Sequence, residues 1–199
     1  MGSLPRHPLV ADALRLARTW CDGHVIDQAP AIAHAVRVAT VLTRTLDPAP
    51  SQLVAAALLH DAPYFAPTDT DLDELLTNRF GPAVAQTVRG LEAEHVALDH
   101  STEPDLNGLS DWTVYASAAD KVASLTSILR RATHSGDTAA YFRDRPKFVA
   151  RVPYFNAFAA AAKPRLPHRL AEELHHVTDW AATEAGQHTN SLTAAPPRG

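Results

Sequence analysis

Apolar residues recur at helical spacing in almost every long segment of this chain, and no segment shows the period-two alternation of a half-buried strand. The fold class is therefore expected to be all-α, and a βαβ enzyme is disfavoured. Residues 9–21, LVADALRLARTWC, align Val10, Leu14 and Ala17 on one stripe. Residues 31–46, AIAHAVRVATVLTRTL, do the same with Ile32, Ala35, Val36, Ala39 and Leu42. Asp47-Pro48-Ala49-Pro50 then punctuates the chain, and Ser51 suits the start of QLVAAALLHD. Pro63 and Pro67 predict a loop, followed by a short helix in LDELLTNRF. Gly81-Pro82 ends that helix and opens PAVAQTVRGLEAEHVAL, with proline in the first turn. Residues 99–110 read as an exposed loop and 111–132 as a long helix. The stretch from Thr138 to Lys163 is helical but interrupted at Pro146 and Pro153, and 169–185 is the last helix.

The 199 residues suit one domain with a sizeable core, expected over 1–185, with 186–199 as a disordered tail. A formal charge of -4 gives no basic footprint for nucleic acid. It does not exclude an anionic substrate, because a bound cation reverses the field locally. Cys21 is the one cysteine, so no intrachain disulfide forms and a cytoplasmic location is expected. MGSLPRHPLVADAL has neither the long apolar run nor the pattern of a signal peptide, and no membrane contact is expected.

Three polar signals interrupt apolar helices. His34 sits in AIAHAVRV, His60-Asp61 ends VAAALLHD, and Asp120 lies in ASAADKVASL. Aspartate is rarely buried without a partner, so Asp120 among alanines asks for one. If the three helices converge, His34, His60, Asp61 and Asp120 form a set of two imidazoles and two carboxylates. Such a set suits Mn²⁺, Fe²⁺, Co²⁺, Zn²⁺ or Mg²⁺ and does not choose among them. The ion would activate water and polarise an electrophile. Taken singly, His34 is better read as a hydrogen-bonded core histidine, and Asp120 reads equally well as a surface residue.

These elements, in this order, resemble the HD superfamily of metal-dependent phosphohydrolases. The separations of 26 residues from His34 to His60 and 59 from Asp61 to Asp120 look like the hydrolase domains of RelA/SpoT proteins and their small stand-alone relatives. RFGPAVAQTVRGL and DALRLARTWCDGH are similar to helices of that family, and the likeness covers about residues 9–145. The resemblance implies a compact HD-domain helical fold and a metal ion, usually Mn²⁺. It also implies a small phosphorylated molecule or nucleotide as substrate, and it leaves room for a homo-oligomer.

The chain departs from that family where proton transfer is expected. A Glu-Asp pair usually follows the His-Asp ligands; here Tyr64-Phe65 stands in its place. Phe65 has no proton to transfer, and Tyr64, with a reference pKa near ~10, would only donate or orient weakly. Glu92 and Glu94, with His95 beside them, are candidate replacements as proton carriers. CDGHVIDQAP offers no basic cluster to grip phosphate, so Lys121, Phe65 and Ser124 are the candidate substrate contacts. Asp61 is expected to orient the nucleophile as well as to bind the ion. Besides the phosphohydrolase, two alternatives stay open: a catalytically degenerate HD-fold binding or regulatory protein, and another metal-centred enzyme on this fold.

Overall fold

The computed structural model describes residues 7–26, 28–100 and 103–193, with side chains to residue 186. Helix α1 (Pro8–Trp20) begins with proline at its first position, where the missing N–H costs nothing, and His7 caps it. It buries Val10, Ala13, Ala17 and Trp20. A two-residue ribbon follows, β1 (Val25–Ile26) against β2 (Ala29–Pro30), with Val25 opposite Pro30 and Ile26 opposite Ala29. The segment between the first two helices carries no strand signal in the sequence, since two residues per strand are too few for alternation to register. Helix α2 (Ala31–Thr45) then leads to α3 (Ser51–Leu58), whose residues from Leu53 to Leu58 are all buried. This burial explains its unbroken Leu-Val-Ala-Ala-Ala-Leu run, since α1, α2, α6 (Pro82–His100) and α7 (Asp111–His134) all pack around it.

Between α3 and α6 lie α4 (Ala62–Phe65) and α5 (Leu72–Phe80). The loop expected around Pro63 is a single helical turn, with Pro63 in its first positions where proline is tolerated. Gly81, at φ +94°, ends α5. Helix α6 continues to His100, one residue beyond the start of the expected loop. The helical stretch after Thr138 breaks at Pro146 into α8 (Thr138–Arg143) and α9 (Pro146–Ala162), with Pro153 inside the latter. Helix α10 (His168–Thr193) packs on α7 and α9. It runs past Gly186, where the sequence suggested a tail; residues 194–199 lie outside the described residues.

Helices α6 and α7 approach each other closely at one glycine. A β-carbon on Gly90 would lie 2.7 Å from the side chain of Thr113, so only glycine permits this approach. Further along both helices, in the same direction, Glu94 meets Ser117 and Lys121, and His95 meets Asp120. The apolar core surrounds this contact, and no described helix is long and apolar enough to cross a membrane.

Candidate metal centre

His34 is presented by the inward face of α2, and Asp120 by the middle of α7. His60 and Asp61 occupy the turn between α3 and α4, where Leu59 ends one helix and Asp61 begins the next. Exposures of 4% for His34, 8% for Asp120, 1% for His60 and 9% for Asp61 place all four in the interior. His34 Nε2 lies 2.9 Å from Asp120 Oδ1, and His60 Nε2 lies 3.9 Å from the same oxygen. His60 Nε2 and Asp61 Oδ2 are 3.2 Å apart. Ligand atoms of His34, His60 and Asp61 all fall within 4.8 Å of one another.

The protonation logic favours a cation at this point. His60 Nδ1 is 2.8 Å from the Ala57 carbonyl, which only accepts, so Nδ1 carries the proton. Burial outweighs the Asp61 charge and pushes His60 below its ordinary value, so the ring is neutral and Nε2 is a bare lone pair. Nε2 and Asp61 Oδ2 are both buried without a hydrogen-bond partner. Two facing acceptors that have lost water need a positive centre between or beside them. At His34, burial pushes the imidazole down, but the hydrogen bond and charge of Asp120 lift it above its ordinary value. Burial likewise pushes Asp120 up, while hydrogen bonds from His34 and His95 hold it well below the carboxylate range. The donor set therefore fits a divalent cation, with Asp120 ionised to receive it.

Other expected site residues divide into two groups. Tyr64 is 51% exposed and stacks on His95, with ring centroids 6.3 Å apart. Phe65 turns the other way, packs on the core and stacks on His24 at 4.4 Å. Ser124 Oγ reaches Asp120 Oδ1 at 3.5 Å, one turn along α7. Glu92 is half-buried and held by Arg89 at 2.8 Å. Glu94 and Lys121 are buried. They pair with each other at 2.7 Å, and Ser117 and Tyr154 also donate to Glu94. Lys121 is further enclosed by the ring of Phe158, 4.2 Å away. Substrate contact through either residue would require this buried network to open, because both side chains are almost fully enclosed.

His95 belongs to the centre more closely than the sequence indicated. Its Nε2 donates to Asp120 Oδ2 at 3.2 Å, and its ring meets His60 edge-on at 6.0 Å. Its only sequence signal is its place one residue beyond Glu94 in EAEHVAL.

An all-helical domain that gathers His34 from α2, His60-Asp61 from the α3–α4 turn and Asp120 from α7 is similar to an HD domain. Residues 13–108, just under half of the chain, match the family model described as HD domain, a span that includes His34, His60 and Asp61. The fold is shared with a solved structure described as a metazoan orthologue of SpoT that hydrolyses ppGpp and plays a role in starvation responses. That likeness has a TM-score of 0.61 and 20% identity, covering 91% of this chain and 99% of the other. No curated protein matches the chain in sequence.

Proposed function

We propose that this protein is a metal-dependent phosphohydrolase acting on a nucleotide or another small phosphorylated metabolite. The observation that carries the reading is the pair of buried, unpartnered acceptors, His60 Nε2 and Asp61 Oδ2, inside a set completed by His34 and Asp120. These four residues would hold the ion, with Mn²⁺ the first candidate and Fe²⁺, Co²⁺, Zn²⁺ and Mg²⁺ the others. When bound, the ion lowers the pKa of water and polarises the phosphoryl group. The chain's own groups then position the reactants. Asp61, beside His60 at 3.2 Å, would also orient the nucleophile. Arg37, whose charge is felt at His34, adds positive potential beside the ligands. Tyr64 stands over His95 at the exposed side, with a hydroxyl able to donate to a substrate oxygen; burial and the Glu92 charge raise its pKa, so it stays protonated. The HD family match and the resemblance to a ppGpp hydrolase fold support this class.

The test is phosphate or pyrophosphate release by Mn²⁺-loaded protein from a panel of nucleotides and small phosphate esters, against His60→Ala loaded in the same way. Turnover by the first and not the second supports the reading. A second reading is favoured by Tyr64-Phe65: a binding or regulatory protein that keeps the ion without turnover. Saturable, metal-dependent binding of a panel member with no product formed would select it.

A further inference from the structure

The two oxygens of Asp120 face different partners. Oδ1 lies 2.9 Å from His34 Nε2 and 3.9 Å from His60 Nε2, within the ligand set. Oδ2 accepts from His95 Nε2 at 3.2 Å. A carboxylate is free to rotate about its last bond unless one oxygen is tied. His95 supplies the tie at Oδ2, beside the one His34 makes to Oδ1. The Ser124 hydroxyl, 3.5 Å from Oδ1, is too distant to substitute for it.

His95 is itself fixed. Its ring lies between the edge contact with His60 and the stack on Tyr64, and its side chain is 18% exposed. Its predecessor Glu94 pairs at 2.7 Å with Lys121, the successor of Asp120. Neighbours on α6 thus hold neighbours on α7, and the internal pair locks the register that brings His95 to Asp120.

We propose that His95 is a positioning residue of the metal centre, donating from Nε2 to Asp120 Oδ2 and so committing Oδ1 to the ion. The proposal rests on the metal-centre reading above. Groups that hydrogen-bond to a ligating side chain govern how it meets the metal, and their loss typically weakens binding about 10–100-fold.

The experiment is calorimetric titration of the chelator-treated full chain with Mn²⁺. Four proteins are compared: wild type, His34→Ala, His95→Phe and His95→Gln. Phenylalanine keeps a ring for Tyr64 and removes the donor; glutamine places an amide N–H near the position of Nε2. The expected result is Mn²⁺ binding weakened about 10–100-fold in His95→Phe and largely recovered in His95→Gln, with wild-type helicity in both. Should His95→Phe not fold, His95→Asn, too short to reach Oδ2, takes its place. Wild-type affinity in the donor-free variant overturns the proposal. So does equal weakening in His95→Gln, which would make the imidazole itself a ligand. Wild type that binds no Mn²⁺, or His34→Ala that binds it as well as wild type, overturns the metal-centre reading and the proposal with it.

Discussion

His60 Nε2 and Asp61 Oδ2 face each other at 3.2 Å in the protein interior, and neither has a hydrogen-bond partner. Like two acceptors anywhere, they repel unless a proton or a metal ion intervenes. A group that binds only the native state stabilises it, by about 2.7 kcal/mol when present at 100 times its Kd. Mn²⁺ is therefore expected to raise the melting temperature of the wild type, and a chelator to reverse the rise. His34→Ala, His60→Ala, Asp61→Ala and Asp120→Ala should each lose most of that response and most of their metal content by elemental analysis, while keeping their helicity. Unchanged metal content in all four would remove the basis for the site.

Glu94 predicts a pH effect that does not depend on the ion. Burial pushes its carboxyl up, but the charge and hydrogen bond of Lys121 overcome this and hold it below the ordinary value. In the unfolded chain the same carboxyl titrates near ~4.3. The unfolded state therefore takes up its proton first as pH falls. The stabilisation is complete above the unfolded value and is lost as pH drops through the lower, folded one. Urea midpoints measured from pH 7 downward should fall less steeply for Glu94→Gln than for wild type.

Removing one member of that pair leaves the other charged and buried. Lys121→Met or Glu94→Leu alone is expected to cost about 3–5 kcal/mol, whereas the double variant should cost less than either. A double-mutant cycle by denaturant unfolding measures this. Additive losses would mean that the pair does not act as a unit.

Guanosine tetraphosphate hydrolysis is expected to be weak or absent. Tyr64 and Phe65 stand where the resembling family carries an acidic pair, and neither supplies a carboxylate. Tyr64→Glu with Phe65→Asp, tested with Mn²⁺, is expected to gain activity only if the new carboxylates reach the substrate. Since Phe65 packs inward and Tyr64 is exposed, the glutamate should account for most of any gain. Efficient hydrolysis by the wild type would show that another group already fills the role.

Cys21 is 6% exposed, and burial together with the nearby Asp61 charge pushes its thiol up to about 11. Because the thiolate is the reacting species, Cys21 should react slowly with a disulfide reagent at pH 8 and at once in denaturant. Rapid stoichiometric labelling of the folded protein would contradict the packing of α1 against the His-Asp turn.

The candidate ligands are legible in the sequence because their chemistry conflicts with their surroundings. A histidine among alanines and valines, or Asp120 among small residues, needs a partner once its helix face is buried. The helices are legible for the same reason as any amphipathic pattern, and the ribbon at 25–30 escapes because two residues carry no period. Glu94 and Lys121 are illegible as an internal pair, since a charged side chain looks solvated until its partner is known, and theirs lies 27 residues away. Tyr64 and Phe65 look like one aromatic unit in the sequence. Adjacent helical residues point about 100° apart, so one became mouth and the other core.

Gly90 turns the α6–α7 approach into a mechanical stop. A helix is a stiff rod, and Glu94 and His95 ride on it about one turn further along. An added methyl at Gly90 would press on Thr113 at 2.7 Å and tilt that rod away from α7, opening a gap at Asp120 without touching it. The candidate metal centre would thus be gauged from a position that bears no functional group. Gly90→Ala should loosen the ion before it loosens the fold, and trimming the opposing face with Thr113→Ala should let α6 settle back and tighten it again.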